Sequence, residues 1–298
     1  SIFMVIGIYA TISSEEPKIR KNLNKGNHFK FLLTIFLAVI GFILLYSIIN
    51  NPYEKNDIFL SFIFSVARLI ICFIFAFLII NLLILTKFTS KQKISQSYLG
   101  PITNFLTRYG KFAVLILLLI SLYRIADVVM GVMANIFYLE KGYKISEIAT
   151  FSKFFGVFAT IFGGFIGGYC SYRFGTMKAL FFGALIAALS NLLFAWLAVS
   201  PISIDFLIAV ITADNISSGF AGAAFVIYLS GLTSIKFTAT QYALFSSIML
   251  FLPKLIAGYA GSWVDVMGYA YFFSFTAFLG IPVLFLILWI GKVAPIKN

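Results

Sequence analysis

Eight long apolar runs constrain the fold of this chain more than any other feature of its sequence. Most have about 20 residues or more, and a helix of that length crosses a hydrocarbon layer of about 30 Å. None shows the short alternating segments of a membrane-spanning β-barrel. We therefore predict an all-α polytopic membrane protein. The runs lie at about 31–49, 58–85, 112–138, 148–170, 179–199, 206–229, 240–262 and 270–290.

The composition argues against a soluble or nucleic-acid-binding protein. Apolar side chains make up 61% of the 298 residues and charged side chains 11%, and the mean hydropathy is +1.03. These values exclude an ordinary soluble domain. The net charge of +12 is scattered over short loops instead of forming one basic patch. We expect membrane lipid as the surrounding partner and no binding to nucleic acid.

The density of Lys and Arg alternates from loop to loop, and this predicts the orientation in the membrane. Of the 22 Lys and Arg residues, 15 lie in one alternate set of segments and three in the other. Loops rich in Lys and Arg stay in the cytoplasm. The rich set, which includes the carboxyl terminus, is therefore predicted to be cytoplasmic. That set is 13–30, 86–111, 171–178, 230–239 and 291–298, and the opposite set is 50–57, 139–147, 200–205 and 263–269.

Arg124 and Asp127 are ionisable residues deep within the third apolar run. Arg124 follows the start of that run by about 12 residues, which places it roughly 18 Å deep on a helix. An ionised group at that depth costs several kcal/mol and usually faces a protein interior or a wet cavity. Asp127, at i+3, is close enough to neutralise Arg124 in part. The pair is either a packing device or the charged wall of a solute pathway.

Further ionisable residues inside the runs indicate a shared site. Asp214 and Lys254 lie about nine residues from the predicted outer face, and Asp127 about twelve. A common depth on three helices is what a binding site near the midplane needs. Lys153 is nearer its outer end, where it either reaches the interface or joins the site. Arg68 suits helix packing as well as it suits transport.

The charges inside the membrane runs do not balance. Four cations stand against two anions. Positive charge at that depth needs a counter-ion, and an anionic solute supplies one. We therefore hypothesise an anionic small-molecule substrate, such as one that carries carboxylates.

Closely spaced glycines mark where helices touch. Gly163 and Gly167 are one helical turn apart, and so are Gly164 and Gly168. Such pairs let two helix backbones approach closely. We therefore predict helix packing at these four positions.

A second small-residue stretch, at 217–224, follows Asp214 and Asn215 by about one turn. It predicts either plain helix packing or a flexible, water-lined segment beside the two polar residues. Pro253, next to Lys254, removes a backbone hydrogen bond and predicts a kink in the seventh run.

The sequence offers little for catalysis or metal binding. His28 is the only histidine, and Cys72 and Cys170 lie in separate apolar runs. The predicted outer loops contain acidic residues but neither His nor Cys. We predict no disulfide, no catalytic or metal site and no cofactor, and we do not expect an enzyme.

Several stretches resemble the AmpG muropeptide permeases of the major facilitator superfamily. Phe237–Ser247 looks like that family's pattern at the start of a membrane helix, and Glu147–Gly164 resembles another of its helices. Leu122–Asp127 is similar to its Leu-Tyr-basic-x-x-Asp stretch. Asp214 and Asn215 occupy a place usually held by an acidic residue and Asn.

Two further stretches resemble the superfamily more weakly. Gly168–Lys178 is similar to a conserved Gly-x-x-x-Asp-Arg-x-Gly-Arg loop, although Tyr172 replaces its acidic residue. Ser14–Pro17 resembles the acidic end of the family's sixth helix.

The resemblance implies proton-driven symport of anhydro-muropeptides from periplasm to cytoplasm across a bacterial inner membrane, as part of peptidoglycan recycling. Two halves of the transporter would rock about a central site. Asp127 or Asp214 would carry the proton. The substrate and proton pathway implied by the resemblance comprises Arg124, Asp127, Lys153, Asp214, Asn215, Gln241 and Lys254.

The resemblance also predicts a domain organisation. Residues 1–12 read as the end of a truncated transmembrane helix, 13–111 as linkers around a two-helix hairpin, and 112–298 as the six-helix carboxyl-terminal transporter half. We expect the missing amino-terminal half to be a partner needed for transport. Alternatives are a related carrier for another organic anion, such as a siderophore or an acyl-CoA, and a transport-incompetent subunit of a split gene.

Overall fold

The computed structural model describes Tyr9, Ser13 and residues 28–53, 57–95 and 99–293. Apart from Tyr9, the predicted helix end at 1–12 lies outside these residues. Within the described part of the chain, every regular element is a helix. Eight helical stretches there are long and apolar enough to cross a membrane. The prediction of an all-α polytopic membrane protein is confirmed.

The α-helices of the described residues are α1 (His28–Ile48), α2 (Ile58–Leu85), α3 (Lys91–Ile94), α4 (Gly100–Tyr109), α5 (Ala113–Leu122), α6 (Ile125–Lys141), α7 (Ile145–Ile148), α8 (Gly156–Phe174), α9 (Thr176–Val199), α10 (Ile204–Leu232), α11 (Thr238–Ala257), α12 (Ala260–Phe278) and α13 (Gly280–Val293). Short 3-10 helices occupy Gly110–Phe112 and Ile235–Phe237, and a π-helix occupies Ala149–Phe155.

Aromatic side chains fill the core between α6, α9 and α12. The ring centroid of Phe273 lies 5.0 Å from that of Phe137 and 5.3 Å from that of Phe194. Tyr138 stacks on Phe194 at 5.9 Å. All four side chains are buried. Packed aromatic pairs of this kind add to the dispersion energy that holds membrane helices together.

Glycines bring α8 and α10 into close backbone contact. A Cβ atom on Gly163 would overlap the carbonyl oxygen of Ile216, and one on Gly167 would overlap that of Phe220. From the other helix, a Cβ on Gly219 would overlap the carbonyl oxygen of Thr160. The second predicted pair lies differently, because a Cβ on Gly168 would meet nothing within 4 Å. The face of α8 that carries Gly163 and Gly167 therefore makes the closest contact with α10, and Gly164 lies at its edge, where a Cβ on Gly219 would be 2.9 Å from the Gly164 nitrogen.

The third apolar run is longer and less regular than its hydropathy indicates. Residues predicted as a linker before it form α4, and the run itself is divided into α5 and α6 at Tyr123 and Arg124. No Pro or Gly lies at this break. We therefore attribute the break to the side-chain contacts of Tyr123 and Arg124.

The predicted seventh span and the loop after it also differ from the structure. The helical path bends at Gly258 and Tyr259, whose backbone N–H groups donate to Lys254 at 3.1 Å and Ile256 at 3.0 Å. The predicted loop 263–269 is helical within α12 except at Gly268, whose φ of 76° and ψ of 165° interrupt the helix. Only glycine adopts such a conformation readily.

At each predicted membrane face, hydrogen bonds link segments that the loop charges assign to that same face. At the predicted outer face, Tyr143 donates from its hydroxyl to the carbonyl oxygen of Ser203 at 3.1 Å. At the opposite face, Arg108 donates to the carbonyl oxygens of Leu232 and Thr233. Which face meets the cytoplasm stays a prediction from the charge bias.

We expect Gly167→Ala to lower the thermal unfolding temperature of the purified protein in detergent. The added methyl group forces α8 and α10 apart, and overpacking of this kind costs about 1–3 kcal/mol. Gly168→Ala is the matched control and should leave the unfolding temperature unchanged. Equal losses from the two substitutions would contradict the assigned contact face.

Candidate functional site

The helix break between α5 and α6 positions the two charged residues inside the third candidate membrane span. Arg124 has φ −97° and ψ 9°, outside the helical pattern. The preceding Tyr123 donates from its hydroxyl to the carbonyl oxygen of Leu180 at 3.2 Å and stacks on Phe225 at 4.4 Å. These contacts with α9 and α10 fix the position at which α6 begins.

Arg124 connects the start of α6 to the middle of α10. Its Nε atom lies 3.4 Å from Oδ2 of Asp127, and the two side chains are 21% and 14% exposed. Its guanidinium donates to the carbonyl oxygen of Ser218 at 3.4 Å and to the hydroxyl of Ser218 at 3.2 Å. The predicted i+3 pair therefore forms, and Arg124 contacts a second helix as well.

Asp214 belongs to the same charged cluster. It lies one helical turn before Ser218 on α10, near enough to Asp127 and Arg124 for their charges to act on it, although no ion pair within 4 Å joins it to Arg124 in the part of the chain that the structure describes. The cluster thus holds two carboxyl groups and one guanidinium. With both carboxylates ionised it carries one unbalanced negative charge, which a single bound proton neutralises. The excess of cations expected from the sequence lies elsewhere in the molecule.

Asn215, next to Asp214, faces α8. Its Oδ1 atom accepts from the hydroxyl of Thr160 at 2.9 Å, and its Nδ2 atom donates to the carbonyl oxygen of Ile211 at 2.8 Å. Gly156 leaves the space for this amide, because a Cβ there would lie 3.1 Å from it. Asn215 therefore joins α10 to α8.

Gln241 lies at the predicted inner face and joins three segments. It is fully buried, and its Oε1 atom accepts from the backbone N–H of Ser234 at 2.7 Å. Its Nε2 atom donates to the carbonyl oxygen of Pro101 at 2.9 Å and to Oδ1 of Asn104 at 3.2 Å. Both the oxygen and the nitrogen of the Gln241 amide are therefore hydrogen-bonded, and these bonds hold α4 against the start of α11.

The other two predicted pathway cations are exposed. Lys153 lies in the π-helix Ala149–Phe155. Lys254 lies on α11 and lines a groove toward α2. The structure thus places Asp214 near the pair of Arg124 and Asp127, and it leaves Lys153 and Lys254 at exposed positions.

A layer of uncharged polar residues adjoins the cluster, and it was not among the predicted site residues. Ser218 binds Arg124, and Ser217 lies 3.2 Å from the hydroxyl of Ser190. Asn191 is fully buried and donates to the carbonyl oxygen of Ala126 at 3.4 Å, while its Oδ1 atom has no partner among the described residues. The consecutive polar residues Ser190 and Asn191 inside an apolar run were the available signal.

Comparison with known proteins relates the chain to bacterial transporters. No protein-family model matches it. A Rickettsia felis protein named "Putative transporter AmpG 4" is 32% identical over 266 residues, which is 89% of this chain and 63% of that protein. Its namesake in Rickettsia conorii is 32% identical over 267 residues, or 88% of this chain and 63% of the relative. "Putative transporter AmpG 1" of Rickettsia bellii is 34% identical over 189 residues, or 63% and 46%. The chain spans less than two thirds of the length of these relatives.

We expect Arg124→Gln to destabilise the protein more than the double substitution Arg124→Gln with Asp127→Asn. The single change leaves the Asp127 carboxylate without its cation, whereas the double change removes both charges. Because the two side chains are partly exposed, we expect the single change to cost roughly 1–3 kcal/mol, less than a fully buried pair. Thermal unfolding in detergent measures the difference. A double variant whose loss equals the sum of the two single losses would show that the pair is not coupled.

We expect Gln241→Leu to lower the free energy of unfolding by about 1–3 kcal/mol, because it leaves the N–H of Ser234 and the carbonyl of Pro101 without partners. Hydrogen exchange of the α4 amides should accelerate at the same time. Thr240→Ala, at the exposed neighbouring position, is the control. Unchanged exchange in α4 would exclude the joining role.

Proposed function

We propose that this chain, which is similar over most of its length to proteins named as putative AmpG transporters, is part of a secondary active transporter of anionic solutes. The proposed activity is import of anhydro-muropeptides across a bacterial inner membrane, coupled to protons. The group formed by Arg124 and Asp127, at the break between α5 and α6 inside one candidate membrane span, and by Asp214 on α10 supports this proposal most directly. The Lys and Arg bias of the loops supports a cytoplasmic carboxyl terminus.

In the proposed mechanism Arg124 binds a carboxylate of the substrate peptide. A guanidinium presents several donors in one plane and recognises carboxylates in two-point contacts. Its bonds to Ser218 are at the long end of the hydrogen-bond range, at 3.2 and 3.4 Å. A substrate carboxylate that replaces Ser218 as the partner of Arg124 therefore gains a stronger bond than the one it displaces.

Proton coupling follows from the charge balance of the same cluster. One guanidinium already faces two carboxyl groups, that of Asp127 as its ion-pair partner and that of Asp214 at longer range, so an arriving substrate carboxylate adds a further negative charge to a region of low dielectric. Such repulsion favours proton uptake by one of the acids. We propose that Asp214 or Asp127 takes this proton, so that substrate and proton enter together. Asn215 holds the adjacent turn of α10 to α8 through Thr160.

We further propose that residues 112–298 form one transporter half and that 13–111 contributes the linkers and the hairpin of α1 and α2. The relatives are longer than this chain, which spans 63% of the first two. The remaining part of such a relative would supply the other wall of the pathway. Lys153 stays a predicted pathway residue.

Uptake in proteoliposomes tests the proposal. The vesicles contain this chain together with the portion of the Rickettsia felis relative that it does not match, and vesicles with this chain alone serve for comparison. We expect radiolabelled anhydro-muropeptide to accumulate only in the first set, and only with an imposed gradient that is acid outside. Arg124→Gln should reduce uptake at least tenfold, whereas exposed Lys236→Gln should not change it.

Asp214→Asn separates coupling from binding. If Asp214 carries the proton, this variant should still exchange labelled for unlabelled muropeptide but should not accumulate it along the proton gradient. Full uptake by Arg124→Gln, or uptake that a siderophore or an acyl-CoA blocks and unlabelled muropeptide does not, would overturn the proposed substrate.

A further inference from the structure

A cavity of about 470 Å³ lies where α6, α9 and α12 meet the predicted outer face. The last turns of α6 and α9 form one side of it, through Glu140, Lys141 and Ala198. Residues 267–271 of α12, which include the bend at Gly268, form the other side. None of the residues that line this cavity belongs to the proposed substrate and proton pathway.

The cavity lies at the level of lipid headgroups. Glu140 and Ala198 are each the second-to-last residue of their helix, so the cavity is at the end of the membrane-crossing segments. Close to it in the chain, the side chains of Trp196 and Tyr271 are 61% and 74% exposed. Exposed Trp and Tyr side chains are typical of the boundary between hydrocarbon and water.

Two charges of opposite sign line the cavity. Glu140 is exposed, and its Oε2 atom accepts from the hydroxyl of Tyr269 at 2.9 Å. The neighbouring Lys141 does not pair with this carboxylate, because its ammonium donates to the carbonyl oxygens of Ala198 at 2.7 Å and Ser200 at 2.6 Å. In the part of the chain that the structure describes, no ion pair within 4 Å joins Glu140 to a cation.

Both charged groups can accept a further partner. An ammonium has three N–H donors, and the two carbonyl oxygens use two of those of Lys141. A carboxylate accepts several hydrogen bonds, and Tyr269 supplies one to Glu140. The cavity therefore offers one anionic and one cationic group to a ligand, next to apolar wall residues such as Phe137 and Ala198.

We infer that this cavity binds the headgroup of a zwitterionic phospholipid with a primary ammonium, which is a lipid of the phosphatidylethanolamine class. The ammonium pairs with Glu140 and the phosphate with Lys141, both through charge-assisted hydrogen bonds. A quaternary ammonium has no N–H group to donate to Glu140, and a headgroup with only negative charge is repelled by that carboxylate. The bound lipid links the end of α6 to the bend at Gly268.

Native mass spectrometry of the purified, delipidated protein tests this inference. The protein is titrated separately with phosphatidylethanolamine, phosphatidylcholine and phosphatidylglycerol that carry the same palmitoyl and oleoyl chains. We expect one phosphatidylethanolamine to be retained about tenfold more strongly than either other lipid, because a hydrogen bond to a charged group is worth about that factor.

Glu140→Gln should abolish this preference, since the amide still accepts from Tyr269 but carries no charge. Asp205→Asn is the matched control and should leave the preference unchanged, because it removes an exposed carboxylate at the same predicted face that does not line the cavity. Ala198→Phe tests the cavity itself, because the ring fills the space while both charges remain. It should lower the retention of all the lipids, with circular dichroism confirming that the variant is folded.

Equal retention of the lipids by the unaltered protein would overturn the inference, and so would equal effects of Glu140→Gln and Asp205→Asn. Displacement of the bound lipid by soluble glycerophosphoethanolamine at the same concentration would also overturn it, because the site would then bind a free zwitterion. Binding is measured without transport, so the outcome is independent of the proposed function.

Discussion

A guanidinium inside an apolar medium needs hydrogen-bond and ion-pair partners, and this requirement determines how the helices around Arg124 are arranged. Arg124 has only two described ways to spread its charge, the carboxylate of Asp127 on its own helix and the oxygens of Ser218 on α10. Arg124 makes the contact with Ser218 from the irregular backbone that separates α5 from α6. The break in the helix therefore coincides with the position of the charged Arg124 side chain. The bonds from Arg124 to Ser218 fix how α6 lies against α10.

Close packing of α8 and α10 positions the segment of α10 that carries Asp214 and Asn215. Because Gly163, Gly167 and Gly219 carry no side chains, the backbones meet directly. This proximity lets Thr160 reach Asn215, which immediately follows Asp214. Apolar packing and the charged cluster thus share one helix, and a change in the tilt of α10 alters both.

The sequence predicted what depends on neighbouring residues and missed what depends on distant ones. Run lengths alone require eight apolar helices, and i+3 spacing alone brings Asp127 to Arg124. Depth along a helix, however, does not state which side of the helix a residue faces, so Lys254 was grouped with Asp214 although it lines the groove toward α2. The pairs Gly163 and Gly167, and Gly164 and Gly168, are equivalent in sequence, and only the position of α10 distinguishes them. The break at Arg124 and the partners of Gln241 likewise arise from segments far away in the chain.

The bonds of Gln241 and Arg108 at the predicted inner face have a mechanical consequence. Gln241 holds Pro101 and Asn104 of α4, and Arg108 of the same helix holds the end of α10 at Leu232. Helix α4 is therefore hydrogen-bonded both to the end of α10 and to the start of α11. Because α4 is bonded to both long helices, we expect rotation of either one at that end to displace α4. Such a displacement would be passed along the chain toward α1 and α2.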